Sequence, residues 1–363
     1  MRTLDFAYRI LRGGAFFGWL QAPAAGAPVI RMDETAEIKT SLSGEFSPLV
    51  LDADGNRIEA DWMSDEIQPV LIIDGAEHSL GVFSAASVTP MEINGVETLR
   101  IEAFDRCWRI RDTNTTSRIY YAAGTGYINI VKALLADAGV TVVLATPSGA
   151  VLAEDREDWE IGTSYLTIIN QLLSEIAYNP LYFSPEGYAV IEPASTPTPD
   201  AISHRISDEP EEIATGADRV DRLLPQISRE TDVYNTPNVF VAWCNNPEKS
   251  DYNMIATAVN DNPQSPLSVS RRGRRIVKVT QLDNIADQDA LQAYVDRERN
   301  ESLIGGETIQ IITELLPGYG VGDVVALKYK DLDALCILRA YMMDLRVGGT
   351  MQMSLQKVVY NFG

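Results

Sequence analysis

The sequence has few of the residues that redox and metal-binding proteins depend on. Its 363 residues include only three cysteines and two histidines. Cys107, Cys244 and Cys336 lie far apart and form no Cys-x-x-Cys pair, which argues against a disulfide framework and a zinc site. We interpret all three as small core side chains within strands, which fits a reducing cytoplasm.

Sequence signatures of common enzymes are missing as well. His78 and His204 are isolated, and neither has a metal-ligand pattern around it. There is no Gly-x-Ser-x-Gly elbow, no His-Glu-x-x-His motif and no phosphate-loop lysine pattern. The sequence therefore predicts no enzyme, no catalytic residue, no cofactor and no metal site.

Long hydrophobic runs are also lacking, since no uninterrupted apolar stretch approaches the ~20 residues that a membrane helix needs. We expect no membrane anchor. The stretch from Arg9 to Ala27 resembles a signal peptide weakly, but Asp5 lies in its basic part and glycines interrupt its short apolar part. We interpret the first 30 residues as extended and outside any barrel, and the role of residues 1–34 is left open.

Positive charge is scarce: 30 lysines and arginines face 51 aspartates and glutamates, a net charge of −21. Such a surface repels phosphates and makes a poor nucleic-acid binder. Two interpretations remain open. The charge either serves solubility, or it lines a channel along which a polyanion such as DNA passes without specific binding.

Three short patterns imitate functional motifs. Gly318-x-Gly320-x-Gly322 leads into a strand, whereas a dinucleotide fingerprint must open a helix, so we predict a turn. Residues 52–56 (DADGN) lack the spacing of a calcium loop, so we predict a hairpin turn. The acidic run at 154–160 could supply carboxylates for glycoside hydrolysis, but a solvated loop is the plainer interpretation.

The order of patterns predicts an α+β fold, predominantly β. Length favours two or three domains at about 150 residues each. Residues 35–121 alternate polar and apolar side chains, starting with a strand at 35–42, and Asn94-Gly95 is a strong hairpin signal. We predict a first β domain over residues 1–121, with the N-terminal segment included.

The middle of the chain changes to helical spacing. Residues 127–136 and 165–177 carry apolar stripes, with Gly139 ending the first helix and Thr163 or Ser164 capping the second. We predict an α/β domain over residues 122–200, ending in a proline-rich linker. A second β domain then spans 201–363, with strands at 238–243, 254–259 and 275–280 continuing its sheet and one helix at 287–302.

One basic cluster breaks the acidic pattern. It consists of Arg271, Arg272, Arg274 and Arg275. It is either an exposed loop before a strand or a docking point for an acidic neighbour, such as another copy of this chain.

Several stretches are similar to the central hub proteins of phage tail baseplates, a family that includes hubs of contractile tails, tailocins and the tail-associated proteins of long flexible tails. They are residues 228–239 (SRETDVYNTPNV), 274–279 (RRIVKV), 288–298 (QDALQAYVDRE), 316–325 (LPGYGVGDVV) and 342–351 (MMDLRVGGTM). The resemblance covers most of the chain from about residue 35. It rests on order and spacing, without an invariant motif.

The resemblance implies two β-barrels similar to the tail-tube subunit, so that three chains form a pseudo-sixfold ring between a hexameric tube and a trimeric spike. It implies a virion structural protein of the tail baseplate, assembled in the host cytoplasm. Its implied partners are two further copies, a tube or distal tail protein, the spike and a tape-measure protein. We expect the interfaces on 35–121 and 201–363.

Two alternatives stay open. One is a tail-associated cell-wall or polysaccharide hydrolase that uses acids of the middle domain. The other is a receptor-binding module in which Tyr182, Phe183 and Tyr188 stack on sugars, although such aromatic residues more often belong to a core.

Overall fold

The structure, a computed structural model, describes residues 3–21, 26–93, 95–194, 197–209, 220–231, 236–245, 253–282, 288–303 and 307–358. The chain divides into two units. The first contains residues 1–194, 314–321 and 340–352, and the second contains 195–313, 322–339 and 353–363. Each unit consists of a β-barrel and a smaller α/β region.

The first unit contributes ten strands to its sheet, numbered in chain order, and most of them form a barrel. They are β1 (Leu4–Arg12), β2 (Ala15–Leu20), β3 (Val29–Asp33), β4 (Thr40–Phe46), β5 (Val50–Leu51), β6 (Arg57–Ile58), β7 (Glu66–Ile73), β8 (Ala76–Ser79), β9 (Phe83–Ile93) and β10 (Val96–Asp105). The hydrogen-bonded order is β3-β4-β10-β9-β7-β1-β2-β5-β6, with β8 on β7.

The sheet closes where β2 meets the bend between β4 and β5. Gln21 N donates to Leu49 O, and Ser47 N donates to Gln21 O. Because β4 and β5 then act as one bent strand, β1, β2, β4/β5, β10, β9 and β7 form a closed ring. Its interior holds alternate residues of the strands, as the period of two requires, including Ile10, Phe46, Leu71 and Ile101 at 0% exposure.

The prediction that the first 30 residues lie outside any barrel is wrong, because β1 and β2 are strands of the closed ring and β3 pairs with β4. Arg12 pairs with Ala15 around Gly13 and Gly14, whose φ angles are +60° and +79°. Two positive φ angles in a row are what a two-residue hairpin turn needs. The glycines that interrupt the apolar run therefore make a turn.

Two other expectations for this barrel have mixed outcomes. The hairpin at Asn94-Gly95 is confirmed by the pairing of Ile93 with Val96, although Asn94 itself lies outside the described residues. The strand predicted at 35–42 instead begins at Thr40. Thr35 N and Oγ1 both donate to Asp33 Oδ1, at 2.8 and 2.6 Å, and this local turn competes with the ladder.

The first α/β region (residues 106–194) follows β10. It contains α1 (Cys107–Asp112), α2 (Tyr127–Asp137), β11 (Val143–Ala145), α3 (Tyr165–Glu175), β12 (Tyr182–Phe183) and β13 (Ala189–Ile191). The strands form a sheet in the order β11-β13-β12. The helices bury a dense cluster of leucine and isoleucine side chains, among them Leu135, Ile169 and Leu172 at 0% exposure.

The two predicted helices of this region are confirmed. Gly139 follows α2 with φ +83°, as a helix stop does, and Ser164 occupies the cap position of α3, although its hydroxyl makes no capping hydrogen bond. The placement of Cys107 within a strand is wrong, because Cys107 begins α1. Asp105 Oδ1 accepts a hydrogen bond from Cys107 N at 2.9 Å in the turn that leads into this helix.

The second unit holds a closed six-stranded barrel. Its strands are β14 (Ile202–Ser207), β15 (Val220–Glu230), β19 (Thr308–Glu314), β20 (Val324–Tyr329), β21 (Leu332–Asp344) and β22 (Thr350–Lys357). The order β20-β14-β15-β19-β22-β21 returns to β20, with β14 parallel to both of its neighbours. In the first unit, Ala340–Asp344 of β21 pair with β3.

The second α/β region (residues 238–303) is inserted between β15 and β19. It contains β16 (Val239–Asn245), β17 (Asn253–Val259), α4 (Val269–Arg272), β18 (Val277–Leu282) and α5 (Gln288–Leu303). The prediction that these strands continue the sheet of the second barrel is wrong, because they form a separate sheet in the order β17-β16-β18. The predicted helix at 287–302 is confirmed as α5, with Asp287 outside the described residues.

The fold class predicted from the sequence, α+β and mainly β with barrel domains and a small α/β insertion, is thus confirmed. Among the described residues no helix is long and apolar enough to cross a membrane.

Candidate inter-subunit surface

The arginine cluster lies on a one-turn helix and the loop that follows it. The Ser268 side chain accepts a hydrogen bond from Arg271 N and caps α4. The helix ends at Gly273, whose φ of +65° is a left-handed conformation that most side chains resist. The turn places two arginines before Gly273 and two after it. We call residues 269–275 the arginine loop.

The four arginines have different surroundings. Arg272 is half-buried and its Nη1 donates to Thr236 O at 2.6 Å, so it anchors the loop. Arg271, Arg274 and Arg275 are exposed, and within the described ranges none of them forms an ion pair. Three cationic groups are thus presented to solvent on an acidic chain.

Asn238 braces the loop and was not predicted from the sequence. Its side chain is fully buried, and its amide nitrogen donates to Leu267 O at 3.1 Å and to Arg274 O at 3.0 Å. Its amide oxygen accepts from Ile276 N at 2.8 Å. One asparagine therefore ties the arginine loop to β16. The available signal was a polar residue at the head of an otherwise apolar run.

A cavity of about 680 Å³ lies beside the loop in the second unit. Its charged lining residues are Arg205, Arg271, Lys357, Glu307 and Asp333. Glu307 accepts a hydrogen bond from Arg229 and lies 3.4 Å from Lys357, and these cations lower the pKa of its carboxyl. Glu307 is therefore a structural ion-pair partner, ill-suited to serve as a general acid.

A second cleft, of about 970 Å³, lies in the first unit. Charged side chains that line it form ion pairs with each other. Arg106 Nε and Nη2 donate to the two carboxylate oxygens of Glu66 at 2.9 and 2.7 Å, and Arg9 Nη2 lies 2.5 Å from Glu77 Oε2. No group of three or more potential metal ligands occurs in the part of the chain that the structure describes.

The acidic run at 154–160 is held by its own neighbours. Arg156 is buried, its Nε donates to Asp158, and its Nη1 donates to Glu175 at 2.8 Å. Asp155 accepts from Tyr120 Oη at 2.9 Å and from Ala123 N at 2.8 Å, which lowers the pKa of its carboxyl. Asp155 and Asp158 thus order the loop, whereas Glu157 and Glu160 are exposed and form no ion pair within the described residues.

The motif-like stretches behave as predicted. Residues 52–56 form the turn of the hairpin between β5 and β6, with Asp52 accepting from Asn56 N at 2.8 Å. The glycines at 318–322 lead into β20 with no helix between them.

The histidines and the three aromatic residues have mixed positions. His78 lies on β8. His204 lies on β14, with its Nε2 3.0 Å from Asp323 Oδ2. Phe183 packs against the core of the first α/β region, Tyr182 Oη donates to Glu192 at 2.9 Å, and Tyr188 is 38% exposed. They do not form a single stacking platform.

No protein-family model matches the sequence, and no curated protein matches it. Solved structures do. One is a tail protein from Neisseria meningitidis MC58, with a TM-score of 0.66 and 14% sequence identity. The alignment covers 97% of this chain and 96% of the Neisseria protein. The 43 kDa tail protein of prophage MuSo2 from Shewanella oneidensis matches 97% over 98%, with a TM-score of 0.64 at 10% identity.

A third match is a component of the E. coli type VI secretion system that exhibits structural similarity to the T4 tail proteins gp27 and gp5. It matches 99% of this chain over 78% of its own, with a TM-score of 0.52 at 10% identity. The resemblance to phage tail and baseplate proteins is therefore confirmed at the level of the fold, over nearly the whole chain.

Proposed function

We propose that this chain is a structural hub of a phage tail or tail-like particle. Three copies form a pseudo-sixfold ring that joins a hexameric tail tube to a trimeric spike. The observation that carries the proposal is the presence of two closed barrels in one chain, which also has the fold of solved tail proteins.

Symmetry supplies the physical reason. A threefold assembly of a chain with one barrel presents three barrels, and it cannot match six tube subunits one to one. A chain with two barrels presents six under the same threefold axis. The tube or distal tail protein would meet one side of this ring and the spike the other, with a tape-measure protein as a further partner.

The acidic composition fits such a ring. With a net charge of −21, a lumen lined by this chain would repel DNA and so allow it to pass without specific binding. The three cysteines are free and buried, which suits assembly in a reducing host cytoplasm before the particle leaves the cell.

We propose a non-enzymatic role. The hydrolase alternative requires a pair of carboxylates near 154–160 in a substrate cleft. Asp155 and Asp158 bind neighbouring side chains, and the exposed Glu157 and Glu160 line neither of the two cavities described above. Incubation of the purified chain with peptidoglycan should release no soluble fragments. Turnover that disappears with Asp158→Asn would support the hydrolase against the scaffold.

The direct test is the assembled particle. Native mass spectrometry and cryo-electron microscopy of the chain co-produced with the tube and spike proteins of the same particle should give three copies per ring, with six barrels in register with the tube. A ring of six chains, or a chain that contacts neither tube nor spike, would overturn the proposal.

A further inference from the structure

The second α/β region has a sheet with one covered face and one bare face. Residues 239–244 (VFVAWC) form an unbroken apolar run. Such runs are typical of strands that are buried on both faces, whereas strands with one solvated face alternate. The sequence of β16 therefore favours a cover on each side of the sheet.

Helix α5 supplies one cover. Phe240, Ala242, Ala256 and Ala258 pack against Leu291 and Val295 in a single buried cluster. On the same face, Lys278 Nζ donates to Glu298 of α5. All the strand residues in these contacts have even numbers, so the odd-numbered residues of the three strands occupy the opposite face.

The register shows what the opposite face contains. Val239 lies beside Val259 and Val277, Val241 beside Thr257 and Val279, and Trp243 beside Ile255 and Gln281. Seven of these nine side chains are apolar. Four of them, all on β17 and β18, are exposed: Ile255 at 65%, Val279 at 63%, Val277 at 52% and Val259 at 39%. On the central strand β16, Val239 is buried and Val241 and Trp243 are half-buried. Contiguous exposed apolar surface of this kind marks an interaction site.

The arginine loop borders this face. Arg274 and Arg275 precede β18 and are separated from it by Ile276, and Asn238 fixes the loop to the head of β16. An apolar centre beside cationic groups without ion-pair partners has the composition of a protein interface, in which aromatic side chains and arginine are enriched. We call the nine residues and the arginine loop the docking face.

The size of the docking face fits one part of a larger interface. Three strands spaced ~4.8 Å apart, each about five residues long at ~3.3 Å per residue, cover roughly 250 Å². A stable interface needs about 800 Å² from each partner, so this face would be one of several contacts in an assembly.

A loop of the first unit has the complementary composition. Residues 151–161 contain five carboxylates and one arginine. Leu152, Arg156 and Trp159 are buried and hold the loop, while Val151 is 54% exposed and Ile161 is 67% exposed. Glu157 and Glu160 are exposed between them. The loop thus presents acids with apolar residues at both ends, and we call it the acidic loop.

We infer that the docking face binds the acidic loop of a second copy of this chain. Ile161 and Val151 would cover the apolar strands, and Glu157 and Glu160 would pair with Arg271, Arg274 and Arg275. The two patches differ, so the contact is heterologous, and repeating it around an axis generates a ring. The inference rests on the proposed threefold hub and assigns one of its subunit contacts, which extends beyond the ranges 35–121 and 201–363 where the sequence led us to expect interfaces.

Cysteine cross-linking tests the contact directly. All three native cysteines are buried, so introduced thiols will report cleanly under a mild oxidant. A chain with Val279→Cys, mixed with a tagged chain with Ile161→Cys, should form a disulfide-linked heterodimer on a non-reducing gel. The matched control replaces Ile161→Cys with Val347→Cys, which alters a comparably exposed valine outside both patches.

Charge reversal tests the electrostatic part. R274E/R275E and E157K/E160K should each weaken association about tenfold or more at low salt, as charge reversal at an interface does. The variant with all four changes should recover association, because its patches are complementary again. The control R57E/K132E alters two exposed cations that form no ion pair within the described residues, and it should behave as the unmodified chain.

Salt separates the apolar part from the charged part. V277T/V279T should weaken association at all ionic strengths. The effect of R274E/R275E should shrink in 0.5 M salt, because the Debye length is short there and interactions between exposed charges are screened. Sedimentation velocity over a concentration series measures both.

The outcomes distinguish this inference from the proposed function. A trimer that forms normally with R274E/R275E, or heterodimer yields equal to the Val347→Cys control, would overturn the docking face and leave the hub intact. A chain that forms no ring with any tail partner would overturn the hub itself.

Discussion

The two α/β regions are built from similar parts and differ in how completely they are covered. Each has a three-stranded sheet with helical cover. Among the described residues, the first has strands of two or three residues and a core of nineteen buried side chains supplied largely by helices. The second has strands of six or seven residues, and its described part contributes six buried core side chains under one long helix. The core of the first region is well buried, whereas the apolar strands of the second region are covered on one face of the sheet.

The comparison teaches that strand length and core size need not increase together. In the first region the helices bury each other and the sheet is a minor partner. In the second the sheet is the main surface, and the covering helix uses one face of it. A small core leaves the second region with less buried apolar surface to stabilise it. Its exposed apolar strands stay available for contact with another molecule.

The largest effect expected from this comparison is a core truncation in the first region. Leu172→Ala should lower the free energy of unfolding by about 4 kcal/mol, because Leu172 is fully buried among close-packed side chains. Leu291→Ala, in the smaller core of the second region, should cost about 2 kcal/mol. Hydrogen exchange, read separately for the two regions, measures both. Equal losses would remove the contrast.

The carboxylates that join each region to its barrel should respond to pH in opposite directions. Asp105 precedes α1, is fully buried, and accepts from Thr40 N and Cys107 N at 2.9 Å. Burial raises its pKa from 3.8 to about 6. Glu307 follows α5, and its pairing with Arg229 and Lys357 lowers its pKa below the usual 4.5.

The signs follow from linkage. Asp105 favours the folded state at low pH, and this contribution, on the order of 3 kcal/mol, is lost as pH rises from about 4 to 6. Glu307 contributes above its usual pKa, and that stability is lost as pH falls through its lowered pKa. Denaturant titrations from pH 3 to pH 7 give the free energy of unfolding as a function of pH. Asp105→Asn should remove the decrease with rising pH, and Glu307→Gln should remove the decrease with falling pH. Unchanged slopes in both variants would contradict the assignment.

A smaller effect separates a buried ion pair from an exposed one. Arg156→Met should cost about 2 kcal/mol, less than for a fully enclosed pair, because Glu175 and Asp158 keep partial contact with water. Arg156→Lys should cost less, since it keeps the charge and loses the planar fork. Lys278→Met, at the exposed pair with Glu298, should cost under about 0.5 kcal/mol. Thermal unfolding of the three variants measures the series.

The smallest effect is the one that defines the bare face. Val279→Thr should change the unfolding free energy of the isolated chain by less than about 0.5 kcal/mol, because the side chain is already in water. The same substitution at Val131, which is fully buried in the first region, should cost about 2 kcal/mol by burying a hydroxyl. A large loss at Val279 would mean that the face is covered within the chain.

Local patterns predicted the local elements. The helices α2 and α3 were found because their apolar residues repeat at helical spacing, and the β9–β10 hairpin because Asn-Gly suits its turn. Helix α1 was missed because six residues carry too little periodicity. The N-terminal hairpin was missed because Gly13 and Gly14 interrupt an apolar run as a loop would.

Strand partnership was beyond the reach of these patterns. The strands β16 to β18 were identified as strands, yet nothing in their residues says that they pair with each other and leave the second barrel. The arginine loop was visible as a basic cluster in an acidic chain. Its relation to the bare face depends on the register of β18 against β16, which only the structure supplies.

The late position of β21 and β22 has a consequence for synthesis. One edge of β3 pairs with Ala340–Asp344, which are synthesised about 300 residues later, and the second barrel closes only with β21 and β22. At ~5–20 residues per second, a ribosome needs roughly 15–60 s to travel from β3 to β21. During that interval one edge of β3 is open on the nascent chain, so chaperones have a defined strand to shield, and an incomplete translation product leaves that edge unpaired and the second barrel open.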